Sequence, residues 1–536
     1  MLDSALRYAM GEYVRERYAA DPVAATVAGI HDHDARLTDL TADGFAARDR
    51  IVDAYLARFE AVPEAELSPA LRTDRALALA SLAGERILRP FERWRRQPSL
   101  YSDAIVRGAY YALIREETPA DERLGALAER LAQAPAALEA ARANLEPDRI
   151  PPVWVVVAGE TAANGATFVR AVLPTVAEGP AKAALAAAGK RAGDALDAYA
   201  SWLRDDLMRR ARGTFAVGHD AFDALLRERE LLPYDAASLL ARGKDLYAET
   251  ESRLREAARA LGDADWRASV ARLREDHPGE EELVDTYRRE MEGSRRATEV
   301  AALAAMPPDA ELVVEEMPAF QRSTYPYAAY IAPGPFERSR RGRFWVTVPF
   351  AGDPPQTRRE RLEGHPRAGI PVIACHEGFP GHHLQLATAA SLDSLARKVF
   401  RSNVFVEGWG LYVEELMTEL GYLGSAETRL LRTKDLLWRA ARVLVDVGLH
   451  TGELTFEAAV NLMVEGPKLE RPNAVGEVRR YTQDPLQPSS YALGREAILR
   501  LRERAKRKGW GMREFHDRLL ATGSLPPALA ERETGL

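Results

Sequence analysis

Residues 374–385 read ACHEGFPGHHLQ and hold three of the chain's ten histidines beside a glutamate. The usual zinc-hydrolase helix reads H-E-x-x-H, with histidines at i and i+4 on one face and Glu as general base. Here i+4 is Pro380, and the next histidines are His382 at i+6 and His383 at i+7. At about 100° per residue, a regular helix puts His382 about 120° from His376. It returns His383 to the same face, but about 10 Å further along. Neither position lets both rings reach one ion at about 2 Å. Gly378, Pro380 and Gly381 break that regularity. Proline removes a donor and glycine admits otherwise strained angles. Together they predict a helix bulge that absorbs two residues. With it, His376 and His382 face one zinc ion, His383 is the rival second ligand, and Glu377 is the general base.

Working outward, the third ligand is sought in NVFVEGWGLYVEELMTEL, residues 403–420, an amphipathic helical pattern. Glu407 stands early in it, followed by Gly408, where a small residue allows close approach. Glu414, two turns on, is the alternative. Upstream, GRFWVTVPF (342–350) is the best strand, aromatic and β-branched between breakers, and is expected beside the metal helix. Residues 351–369 are polar and rich in Pro and Gly, which predicts a loop.

Elsewhere apolar residues recur at three and four over 2–18, 44–59, 69–87, 120–144, 181–210 and 236–261, predicting helices. Ser68 before Pro69 reads as a helix start. PPVWVVVAG (151–159) fits a strand or a helix opening. The fold expected is mainly α: a large helical body with a cleft and a small sheet or edge strand beside the metal helix. The break AAMPPDAEL suggests a helical N-terminal lobe, 1–290, and a zinc-binding lobe, 291–536.

Composition narrows the function classes. Hydrophobic residues make up 46% and charged residues 29%, with net charge −7 and pI about 5.9. That is an ordinary globular balance, and it argues against a nucleic-acid binder. No run of 18 apolar residues is present, so no membrane partner is expected. The N-terminal stretch has no apolar leader core, and Cys375 is the single cysteine. Both readings point to the cytoplasm. The sequence assigns no oligomeric state.

HEGFPGHHLQ with VEGWGLYVEEL resembles the bacterial family called domain of unknown function 885. The likeness extends to DPVAATVAGIHDHDARLTDL (21–40), LVDVGLHTGELTFEAA (444–459), EVRRYTQDPLQPSSYALG (477–494) and REFHDRLLATGSLPPALAE (513–531). Its members are regarded as zinc hydrolases distantly similar to neurolysin-like oligopeptidases and thermostable carboxypeptidases. The resemblance implies a gluzincin-like ligand set of His376, His382 and Glu407. It implies a tyrosine donor from a C-terminal loop, Tyr491 first, with Tyr481 and His450 as alternatives. Asp446 would orient His450, and Arg480 and Tyr481 would bind substrate, Arg480 as a carboxylate clamp. The sequence departs from the family's pattern at Thr347, where Asn is expected, and at Leu486, where Gly is expected.

The function expected is zinc-dependent hydrolysis of peptide or amide bonds in short peptides. The same ligands would serve a non-peptide amide in a biosynthetic pathway, or a metal scaffold without catalysis. Glu377 speaks against the scaffold, since a structural site needs no base and normally has four protein ligands.

Overall fold

The computed structural model describes residues 2–176, 179–318, 325, 327–350 and 352–536, with the side chains of 179 and 180 excepted. Among these residues the fold is mainly α, as the apolar periodicity predicts, with one three-stranded sheet. The expected helices appear as Leu2–Ala20, Ala42–Glu60, Pro69–Leu88 and Ala236–Ala260. Two longer segments are interrupted. Residues 120–144 form two helices, Ala120–Leu131 and Ala134–Asn144. Pro135 has no N–H to continue the first one. Residues 181–210 run as helix Gly179–Trp202, a wider turn over Leu203–Leu207 and a short helix Met208–Arg210. The ambiguous PPVWVVVAG opens helix Pro152–Thr167. Pro152 occupies its first position, where no donor is needed.

The chain forms two compact units, Met1–Phe215 with Gly334–Ser339, and Ala216–Pro333 with Arg340–Leu536. The division therefore falls at residue 215, not near 290. Packing explains the shift. Leu254, Ala258, Trp266 and Leu273 share a core with Leu430, Leu431 and Leu437. Leu283, Tyr287 and Met291, from helix Glu280–Val300, share another with Val314, Phe344, Val346, Ile370 and Ala374. The proline break near 307 interrupts the chain without separating these cores.

The sheet comprises β1 (Leu312–Glu316), β2 (Ala328–Ile331) and β3 (Gly342–Val346), in the order β1-β3-β2. β1 runs parallel and β2 antiparallel to β3. The strand read from sequence is thus the central one, and shorter than expected. The edges belong to β1 and β2, whose runs are too brief to stand out. The segment expected as a loop after β3 carries helix Pro355–Glu363, opened by its prolines. In the first unit, Gly334–Ser339 is held at Glu337, whose carboxylate accepts from the buried Arg115 guanidinium at 2.9 Å. Phe336 packs edge-on against Tyr18 at 5.8 Å, and its N–H donates to the Ala28 carbonyl at 3.0 Å.

Candidate metal centre

His376 and Glu377 end helix Ile370–Glu377, and His382 begins helix His382–Ala390. The expected bulge is a full break, a four-residue connector over 378–381 that includes a cis bond between Phe379 and Pro380. Gly381 makes the fold-back physically possible, because a Cβ there would lie 1.9 Å from the His376 carbonyl oxygen. The Trp409 indole N–H donates to the Pro380 carbonyl at 2.8 Å and pins the connector. The break brings the two rings together. His376 and His382 meet edge to face with ring centres 4.7 Å apart, and ligand atoms of His376, Glu377 and His382 lie within 4.8 Å of one another.

His383 turns the other way. Its Nδ1 lies 2.9 Å from the Tyr330 hydroxyl of β2, and its ring packs on Phe379 at 5.0 Å. Burial holds its imidazole down to about 4, so it stays neutral. The geometry favours His382 over His383 at the cluster.

Helix Asn403–Glu419 supplies both carboxylates named from sequence, in different places. Glu407 Oε2 lies 3.3 Å from His382 Nε2. Burial would raise its carboxyl. The His382 contact and the charges of His382, His376 and Arg442 outweigh that and hold it at about 2. Burial in turn would lower the His382 imidazole, but Glu407 and Glu377 raise it. Glu414 instead meets the far side of His376, with Oε1 2.7 Å from Nδ1, both groups buried. That contact leaves Nε2 of His376 to face the cluster. Gly410 lets the imidazole lie flat on this helix, since a Cβ there would fall 2.7 Å from Nε2. Gly408 does allow close approach, but to the helix Gln487–Arg507. Its Cβ would lie 2.3 Å from the Gly494 carbonyl carbon.

Tyr491 lies in the first turns of that helix, not in the C-terminal loop that its Pro/Ser-rich context suggested. Pro488 sits at the helix start, and Asp446 caps it by accepting from the Leu486 and Ser489 N–H groups at 3.2 Å and the Ser489 hydroxyl at 2.5 Å. Leu486, where Gly was expected, has φ +73. The left-handed conformation explains the expectation. The Tyr491 ring stacks near His376 with centres 6.4 Å apart, and burial with the Glu407 charge raises its phenol.

The remaining expected residues have other partners. The Tyr481 hydroxyl accepts from Arg442 at 2.7 Å and Trp438 at 3.2 Å, and donates to Glu477 at 2.6 Å. His450 stacks on Phe222 with Nε2 2.9 Å from the Tyr481 carbonyl. Asp446 stands 3.8 Å from His450, but its hydrogen bonds go to the helix start. Arg480 is taken up by Gln487 and Glu477, both at 2.8 Å. None of these four is placed at the cluster. Gln487, which sequence reasoning passed over, is: its amide nitrogen lies 3.4 Å from Glu407 and 3.5 Å from the Tyr491 hydroxyl. It lies within the stretch EVRRYTQDPLQPSSYALG, 477–494. Thr347, the other departure, gives its hydroxyl to the Tyr325 carbonyl at 2.6 Å. A cavity of about 310 Å³ lies in the second unit, lined by Arg242, Glu249, Glu415, Arg495, Glu496 and Arg500 among others. It includes no expected site residue and is not the cleft anticipated beside the metal helix.

The bacterial family of unknown function DUF885 matches over residues 22–533. The chain belongs to that family. Two solved structures share the DUF885 protein's fold. A lipoprotein candidate of unknown function from Shewanella oneidensis is 22% identical, with TM-score 0.78, covering 97% of this chain and 98% of its own. A lipoprotein candidate from Colwellia psychrerythraea is 18% identical, with TM-score 0.83, covering 100% and 99%. No curated protein matches the DUF885 chain. Among the described residues, no helix is long and apolar enough to cross a membrane.

Proposed function

We propose that the protein is a zinc-dependent hydrolase of peptide or amide bonds in short peptides. The observation that carries this reading is the buried His376–His382 pair with Glu407 against it. Ligands about 2.0–2.1 Å from a tetrahedral ion lie roughly 3.3–3.4 Å from each other. The His382–Glu407 separation is 3.3 Å. His376, His382 and Glu407 would hold the ion. Zinc with three protein ligands acidifies a water and polarises a carbonyl.

The chain's own residues would do the rest. Glu377 stands beside His376, half-buried rather than sealed. It takes the proton of the attacking water and passes it to the leaving nitrogen. Tyr491, kept protonated by burial and by Glu407, donates to the oxyanion. Glu414 fixes the His376 tautomer, and Gln487 holds Glu407 and Tyr491 together.

Zinc analysis combined with substitution tests this. Glu377→Gln should keep about one zinc per chain and lose about 10²-fold or more in turnover. His382→Ala should lose the metal, and His383→Ala should keep it. Tyr491→Phe should keep zinc and lose about 10²-fold. Protein purified without chelator and free of transition metal would end the hydrolase reading.

We also place the protein in the cytoplasm, because one buried cysteine suits a reducing compartment. The lipoprotein descriptions of the two similar structures point to the envelope instead. Cell fractionation decides: recovery with sedimented membranes would overturn the cytoplasmic assignment.

A further inference from the structure

Cations gather beside Tyr491 that the hydrolytic scheme does not use. Arg439 and Arg442 lie three residues apart on helix Ala426–Thr451, so they share a face. The Arg442 guanidinium carbon sits 4.5 Å over the Tyr491 ring, and that of Arg439 sits 6.0 Å from it. Arg442 is 3% exposed. Its Nε meets the Tyr481 hydroxyl at 2.7 Å and one Nη the Glu477 carboxylate at 3.1 Å. Its other Nη, and Nε of Arg439, are buried with no hydrogen-bond partner among the described residues. Four cations, Lys434, Arg439, Arg442 and Arg480, pair with two carboxylates, Asp435 and Glu477, and Glu407, on which the Arg442 charge also acts, is a third. Buried charge without an equal counter-charge and buried donors without acceptors are both costly. An arriving carboxylate answers both at once.

We infer that Arg439 and Arg442 receive the free α-carboxylate of the substrate, making the protein a carboxypeptidase that releases one or two C-terminal residues. The inference rests on the hydrolase reading and adds the end of the chain at which it acts. Distance sets the length of the released piece. The Tyr491 ring is 6.4 Å from His376 and 4.5 Å from the Arg442 guanidinium. The two groups are therefore no further apart than about three residues of extended chain at ~3.5 Å each. In the reaction one water crosses the scissile C–N bond. The acyl carbon gains the hydroxyl. The leaving amine, on the fragment whose carboxylate the arginines hold, gains the proton. Arg480 does not fill this role, because Gln487 and Glu477 occupy its guanidinium.

The test compares N-acylated tripeptides of varied C-terminal residue as free acids and as C-terminal amides. Calorimetric binding to the zinc-loaded Glu377→Gln protein needs no turnover, and cleavage by the wild type locates the cut. The acids should bind or react roughly 10–100-fold better, the scale of a charge-assisted pair. Arg439→Gln should reduce that ratio by about 10-fold, and Arg439→Lys should restore part of it. Zinc-loaded protein that treats acid and amide alike, in binding and in cleavage, overturns the carboxylate inference and leaves the hydrolase standing. So does cutting in the interior of longer peptides. Protein that binds no zinc overturns the hydrolase reading itself.

Discussion

At the scale of single residues, the centre depends on groups behind the first ring of contacts. Glu414 touches His376 on the nitrogen away from the cluster. Glu414→Gln should fold normally yet weaken zinc affinity by about 10–100-fold, measured by competition with a chelator. Protons compete with the metal too. The raised His382 imidazole must be neutral to bind an ion. Affinity should therefore climb as pH rises past 6.5 through that raised value, and fall below it. For the metal-free protein the signs differ between the partners. Glu407, depressed to about 2, stabilises the fold above its ordinary value of 4.5, and this is lost as pH falls through 2. His382, raised, contributes fully below 6.5, and this is lost as pH rises through its folded value. The window between about 4.5 and 6.5 should be the most favourable for this pair. Denaturation of chelator-treated protein across pH measures it; a pair contribution largest near pH 8 would refute the assignment of charges.

At the scale of elements, two helix contacts are set by residues too small or too strained to read from periodicity. Helices Asn403–Glu419 and Gln487–Arg507 touch backbone to backbone where Gly408 faces Gly494; a Cβ on Gly494 would fall 1.8 Å from the Val404 carbonyl oxygen. Gly494→Ala should cost about 3 kcal/mol or more, because backbone must move. It should also separate Glu407 from Gln487 and weaken zinc binding. Leu486 gives a contest of two effects. Its left-handed backbone costs about 1–2 kcal/mol. Its side chain is 2% exposed, and deleting a buried leucine costs about 2–5 kcal/mol. Leu486→Gly should therefore destabilise the protein on balance, by thermal or chemical unfolding, although it removes the strain. These contacts also mark where sequence reading stops. The helices were legible because their apolar period is local, and the approach of His376, His382 and Glu407 to one another was legible because such residue types are rare together. The connector over 378–381 was foreseen as a distortion but not as a break, since Gly and Pro tell that a helix fails and not how far the chain turns. Tyr491 reads from sequence as a loop residue because Pro and Ser mark helix starts as readily as turns. Arg442, His450 and Tyr481 could not be sorted from sequence, because each is defined by partners on other helices.

At the scale of the whole molecule, the chain does not divide where its composition changes. The first unit takes Gly334–Ser339 from beyond more than a hundred residues of the second. Glu337 is the clasp: buried, paired with Arg115, and bonded to the Gly334 N–H at 2.8 Å. Removing one partner of a buried ion pair costs about 3–5 kcal/mol. Glu337→Ala should thus lower the stability of the first unit, seen by hydrogen exchange around Arg115 and Ala28. The clasp also bears on how the protein is made. At about 5–20 residues per second, the ribosome needs roughly 6–24 s to pass from residue 215 to residue 334. Throughout that interval the nascent N-terminal helices lack the strap, with the Arg115 guanidinium still waiting for its carboxylate. The first unit is begun early in synthesis and closed late, and a chain stalled or cut in between leaves a body that a binding chaperone would meet unfinished.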